Sequence, residues 1–220
     1  MDKYRYEAGM QMIIDEMTAI LSCDSVGTSA DRAWLLDARA ALEKNTKKQI
    51  EMVEEAVRTL GEVHSGNAHL AANLHGNLGA LHHKAGRMDL AKIHMEQGAQ
   101  LLEEYGLTGF HDSVAQICNY AVLLTDLGEP QRAYTALLKL ASRVQECNSD
   151  QCLDYALIQQ LMGSICLVTG DTAQAQRHNQ RAMEIFEMVF EDEPALLEEK
   201  RKEIGQAAFA ARQKNQKLLE

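Results

Sequence analysis

Four histidines, His75, His82, His83 and His94, crowd a short stretch of this chain. Imidazole is the commonest metal ligand and a proton switch near neutral pH. His75 and His82 fall two turns apart on one helix face. A metal site would need a third ligand converging on the same point at ~2 Å. His75 and His82 are read instead as partly buried spacers between helices, with their ring nitrogens bonded locally, a reading that rests on the packing slots of the repeat named below. Asn77 and Asn119 share one position of an internal repeat. Asparagine carries a donor and an acceptor on one short side chain, which suits a peptide unit, a neighbouring helix or water. Trp34, the one tryptophan, could anchor a bound side chain; packing over a junction with the N-terminal helix is the favoured reading. Arg39 could meet a carboxylate by a bidentate contact, although a solvated edge suits it better. No glycine-rich phosphate loop, G-x-S-x-G, H-E-x-x-H or CxxC occurs. The chain is therefore read as non-enzymatic, with no catalytic residue, no cofactor and no metal.

Composition sets the outer limits. A net charge of -10, from 22 Lys+Arg against 32 Asp+Glu, argues against nucleic acid or an anionic membrane as the main ligand. No apolar run approaches the ~18 residues that would span a bilayer, and the N-terminus lacks the apolar core of a secretory signal. The five cysteines, Cys23, Cys118, Cys147, Cys152 and Cys166, are an odd count. Cys147 and Cys152 could pair across Asn148-Ser149-Asp150 if oxidised, but a reducing cytoplasm fits the rest better. Two prolines among many Ala, Leu, Glu, Gln and Met predict an all-α fold. The carboxylate runs read as solvated helix faces, and most of the ten methionines as core filling.

The elements that position these residues repeat. Gly86, Gly128 and Gly170 recur at one constant spacing, and Ala91, Ala133 and Ala175 follow them at one offset. Gly79, Ala121, Gly163 and Gly205 form a second series in the same register. Small residues at a fixed period mean that one helical unit repeats and that its helices cross closely at the same places. The chain then reads as one domain over 1–220. An N-terminal helix and loop (1–28) carries Met10, Ile13, Ile14, Met17 and Leu21 on a stripe, and ends in the break Ser22–Ser29. A degenerate repeat covers 29–61 and full repeats cover 68–105, 110–147 and 150–190. Gly86 stops its helix in the left-handed conformation, Ser113 and Gln116 offer a capping box, and Pro130 opens a helix. A polar helix over 194–220 carries Gly205 in register. It is the first helix of a unit whose second is missing, and it reads as a cap.

The units resemble the tetratricopeptide repeat, W-x2-L-G-x2-Y…A-x3-F. The copies run His75-x2-Leu78-Gly79-x2-His82…Ala91-x3-Met95, Ile117-x2-Tyr120-Ala121-x2-Leu124…Ala133-x3-Leu137 and Gln159-x2-Met162-Gly163-x2-Cys166…Ala175-x3-Asn179. The 42-residue period is similar to the kinesin light chain type. That resemblance implies a right-handed superhelical solenoid of antiparallel hairpins whose first helices line a concave groove. It also implies a module that binds a protein or peptide partner, with Asn77 and Asn119 bonding an extended backbone. Groove positions are then Asp31, Trp34 and Ala38; Asn73, Asn77, Ala80 and His83; Cys118, Asn119, Val122 and Thr125; and Leu157, Gln160, Ser164 and Leu167. Two other readings stand beside it. One is a sensory domain responding to a short signalling peptide, with the first helix as joint or as groove blocker. The other is a self-assembling adaptor, a homo-oligomer formed through Leu157, Leu161, Leu167 and Val168.

Overall fold

The computed structural model describes residues 3–21, 27–109, 111–147 and 150–217, with the backbone alone for 3–6, 112 and 208–217. Cys23, most of the Ser22–Ser29 break, and Asn148 with Ser149 lie outside the described residues. The described residues form ten α-helices and no strand: α1 Lys3–Leu21, α2 Ser29–Leu42, α3 Thr46–Leu60, α4 Ala68–Lys84, α5 Met88–Glu104, α6 His111–Asp126, α7 Pro130–Cys147, α8 Leu153–Thr169, α9 Thr172–Val189 and α10 Pro194–Lys217. They divide into two compact units, Met1–Leu107 and Thr108–Glu220.

In the first unit the hairpins α2–α3 and α4–α5 stack through α3 and α4, and α1 packs on α2. Their shared core includes Ala33, Ala40, Ile50, Val53, Ala56, Leu60, Ala71, Leu74 and Leu78. A separate cluster, Ile14 against Leu35 and Ala38 with Met10, Met17, Leu21 and Leu42 around it, seats α1. The second unit repeats the plan with α6–α7 and α8–α9, and α10 lies on α8 and α9. Leu197 and Ile204 of α10 pack against Ala156, Ala182, Ile185 and Phe186. Lys200 stands over the Phe186 ring at 5.8 Å.

Local chemistry sets the turns. Gly86 and Gly128 take positive φ, 74° and 77°. The N–H just beyond each glycine donates back into the helix, Arg87 to His82 and Glu129 to Leu124, which closes the last helical turn. Pro130 and Pro194 open α7 and α10, where no backbone N–H is missed. The capping box at Ser113 does not form a helix start, because α6 already begins at His111. The capping box that does form is Thr28 with Asp31.

The small-residue slots are crossing points. A methyl group added at Gly79 would lie 2.3 Å from Met95 Cγ and 3.1 Å from the Ala91 carbonyl oxygen. At Gly163 it would meet Asn179 Oδ1 at 2.2 Å and the Ala175 oxygen at 3.3 Å. The partners stand at matching offsets beyond the two glycines, Ala91 with Ala175 and Met95 with Asn179. At Gly205 nothing lies within 4 Å, since no second helix follows α10 among the described residues.

Polar groups bridge the same helix pair in two of the hairpins. His75 and His94 approach at 3.1 Å between Nδ1 atoms. The His94 ring stacks between those of His75 and His82, each at 5.4 Å. One nitrogen of the 3.1 Å contact must donate and the other accept, so the pair needs at least one neutral ring. Burial, with His94 beside it, pushes His75 down to about 4. Burial also lowers His82 and His94, with the Glu54 carboxylate opposing in both. Two periods on, Gln159 and His178 stand in the places of His75 and His94. His178 Nδ1 meets Gln159 Oε1 at 2.7 Å and its Nε2 meets the Tyr134 hydroxyl at 2.9 Å. The middle hairpin has Ile117 and Ala136 there.

These contacts make two outcomes testable. Gly→Ala within a helix gains about 1 kcal/mol of propensity, whereas overpacking costs about 1–3 kcal/mol. Gly205→Ala is therefore neutral to stabilising by at most about 1 kcal/mol, and Gly79→Ala is a net loss. Thermal unfolding followed by circular dichroism ranks them, and equal gains at both positions would refute the crossing-point account. The histidine cluster adds a pH dependence. The unfolded chain binds these protons near the ordinary value of 6.5, but folded His75 does so only near 4. Its contribution is whole above pH 6.5 and is lost as the pH falls from 6.5 to 4. The double variant His75→Ile/His94→Ala, which copies the middle hairpin, should show a shallower fall in Tm across that window. An unchanged slope would assign the acid sensitivity to other groups.

Candidate interaction surface

The apolar stripes that fill the cores leave narrow exposed strips on the first helices, and these are the surfaces open to a ligand. On α2, Ala33 and Ala40 face the core shared with α3 and α4, while Leu35 and Ala38 lie under α1. What stays open between these faces is Trp34, Asp37 and Ala41. Trp34 is 39% exposed. Among the described residues the junction with α1 holds Leu35, Ala38 and Leu42. Ala38, expected to let a ligand approach, is 6% exposed beneath Ile14. Asp31 accepts from the backbone and hydroxyl of Thr28 through Oδ2. Those bonds hold its carboxyl below the usual range, and they make it the in-helix partner of the Thr28 cap. Arg39 is exposed on the opposite strip of the helix.

On α4 the exposed Asn77 donates through Nδ2 to both carboxylate oxygens of Asp37, at 2.9 and 3.2 Å. Asp37 is half-buried, and among the described residues Asn77 is its one hydrogen-bond partner. Burial pushes its carboxyl above the usual range and the Asn77 bond opposes this. Asn73, one turn before Asn77, lies 3.4 Å from His69 Nδ1. His83 is half-buried near the end of the same helix, and His82 beside it is 2% exposed.

In the second unit, Asn119 is exposed on α6 beside Val122, which is 38% exposed. Thr125 is turned back on its own helix, donating to the Ala121 carbonyl at 2.8 Å. Burial, reinforced by the Asp154 carboxylate, pushes the Cys118 thiol up to about 12, so it stays protonated and unreactive at neutral pH. Cys147, Cys152 and Cys166 are also free thiols. The α8 positions lie against α10. Gln160 Nε2 donates to Glu203 at 3.0 Å, Leu157 shares with Leu197 and Ile204 the cluster of Ala156, Ala182, Ile185 and Phe186, and Ala207 packs on the cluster of Cys166, Leu167 and Ala175. Ser164 donates to the Gln160 carbonyl at 3.1 Å. The structure thus brings Asn77 to Asp37, one turn beyond Trp34 on α2, and Gln160 to Glu203 of α10. Asp37 was missed by sequence reasoning. Its signal was its register: it stands in the slot that Gly79, Ala121 and Gly163 fill in the other hairpins, where a charged side chain is out of pattern.

Among the described residues no group of three or more His, Cys, Asp or Glu side chains is arranged to hold a metal ion. No described helix is long and apolar enough to cross a membrane.

No protein-family model matches the chain, and no curated protein does. Among solved structures it is similar to the crystal structure of BtubC (BKLC) from P. vanneervenii, with a TM-score of 0.75 and 20% sequence identity. The similarity covers 99% of this chain and 91% of that one. At that identity the likeness speaks for the fold alone: an all-helical, tetratricopeptide-like array of hairpins.

Proposed function

We propose that this chain is a protein-interaction module, each unit by itself offering a peptide segment of a partner the exposed strips of its own first helices. The observation that carries the reading is the pair of exposed asparagines at one register position. Asn77 stands on α4 in the first unit and Asn119 on α6 in the second, each flanked by buried core residues. Neither side chain is used by core packing: Asn119 offers a donor and an acceptor to a peptide backbone, and Asn77, whose Nδ2 donates to Asp37, offers its Oδ1 as an acceptor. The repeat fold supports the same role, since stacked hairpins turn most of their sequence into surface. The free thiols and the acidic balance fit work in a reducing cytoplasm on a partner that is neither nucleic acid nor membrane.

Affinity capture from a lysate, read by mass spectrometry for the wild-type chain and an Asn77→Ala/Asn119→Ala variant, tests this. Two backbone hydrogen bonds at about 1 kcal/mol each make the expected loss of the specific partner roughly tenfold or more. The variant should keep its helical circular dichroism. Equal recovery of every protein by both chains would rule the asparagine strips out as the site.

A further inference from the structure

Resting on that reading, we propose that Asp37, Trp34 and Asn77 form a recognition patch on the first unit for one basic side chain of the bound peptide, arginine in preference to lysine. Asp37 brings a half-buried carboxylate whose one hydrogen-bond partner, Asn77, is a neutral amide that spans both oxygens at 2.9 and 3.2 Å. No cation of the chain bonds it among the described residues. Each carboxylate oxygen accepts more than one hydrogen bond, so acceptor capacity is left for an incoming guanidinium. Trp34 lies one turn before Asp37 on α2, which places the two side chains as neighbours on one helix face. Its ring is 39% exposed. A guanidinium can stack on an indole face while its N–H groups meet a carboxylate, a combination an ammonium reproduces less well.

Packing does not call for an acid here. The same slot holds Gly79, Ala121 and Gly163 in the other hairpins, where the first helix crosses the second. The net charge of -10 works in the same direction by drawing cationic segments toward the chain. The rival reading is that Asp37 only ties α2 to α4. An uncharged side chain that accepts the same Asn77 amide would satisfy that role, and this makes Asp37→Asn the informative change. It keeps an acceptor for Asn77 and removes the charge.

The probe is a phage-displayed library of random dodecapeptides, selected on the full chain. The expected outcome is a consensus with one fixed basic position. A fluorescein-labelled synthetic copy of the best binder, followed by anisotropy, should then bind Asp37→Asn about tenfold more weakly, the scale of one charge-assisted contact. Replacing its arginine by neutral citrulline should cost the wild-type chain the same factor and cost Asp37→Asn nothing further. Trp34→Ala should weaken binding several-fold, and Glu55→Gln, an exposed acid on α3, should leave it unchanged. Peptides enriched without a basic position, or binding indifferent to Asp37→Asn, would overturn the patch and leave the peptide-binding reading standing. Equal losses in Asp37→Asn and Glu55→Gln would also overturn it, in favour of bulk charge. A library that enriches no peptide would sink both readings together. A drop in Tm for Asp37→Asn with unchanged binding would assign Asp37 to the helix tie alone.

Discussion

The close crossing of the two helices in the α4–α5 and α8–α9 hairpins is the constraint on which the rest depends. Where Gly79 meets the Ala91 carbonyl and Met95, and where Gly163 meets the Ala175 carbonyl and Asn179, there is no room for a Cβ without displacement. Two helices that approach so nearly can fill the remaining seam only with a fixed set of side chains above and below the crossing. That is why the same two register positions meet each other in hairpins two periods apart, as His75 with His94 and as Gln159 with His178. The seam also decides outward direction. Once one face of a first helix is committed to its own second helix and another to the neighbouring hairpin, few positions per helix stay open to solvent.

The crossing slots explain the two end helices as well. Gly205 occupies the slot without a partner, with empty space where Gly79 and Gly163 find a carbonyl. α10 covers the α8–α9 pair through Leu197 and Ile204. Its contacts are mixed accordingly: Leu197 and Ile204 are apolar toward Phe186, while Lys200 and Glu203 pair at 2.9 Å and Glu203 takes the Gln160 amide. The two bonds hold the Glu203 carboxyl below its usual range. At the other end α1 supplies an apolar stripe to Leu35 and Ala38. Its remaining surface includes Met12, Ile13 and Ile20, all about half exposed or more.

Most of the fold was legible because it is written in local chemistry. Glycines at positive φ, prolines at first turns and a regular register of small residues each act within a few residues of themselves, so their meaning survives without a structure. Ser113 shows the limit. Its local pattern is that of a cap, yet the helix begins at His111, whose ring meets Asp154 of α8 at 2.8 Å, a tertiary bond no local pattern announces. The candidate surface was legible only in part for a related reason. Periodicity tells which face of a helix is apolar but not which other helix will cover it. Ala38 and Gln160 both sit at register positions that look open, and α1 covers the first while α10 takes the second.

Asp37 shows what the register can do when its breach is taken seriously. In the α4–α5 and α8–α9 hairpins its slot has no room for a Cβ without displacement. A carboxylate can stand there only if the crossing is relaxed locally and the oxygens reach a polar partner, as Asn77 provides. A half-buried charge with a neutral partner is poorly compensated, and the raised carboxyl pKa is the sign of it. The residue that would compensate it fully is a cation, and the chain places none in contact with it among the described residues. At one first-helix slot, one turn beyond the partly exposed Trp34, the chain thus holds an acid that no cation of the described residues matches.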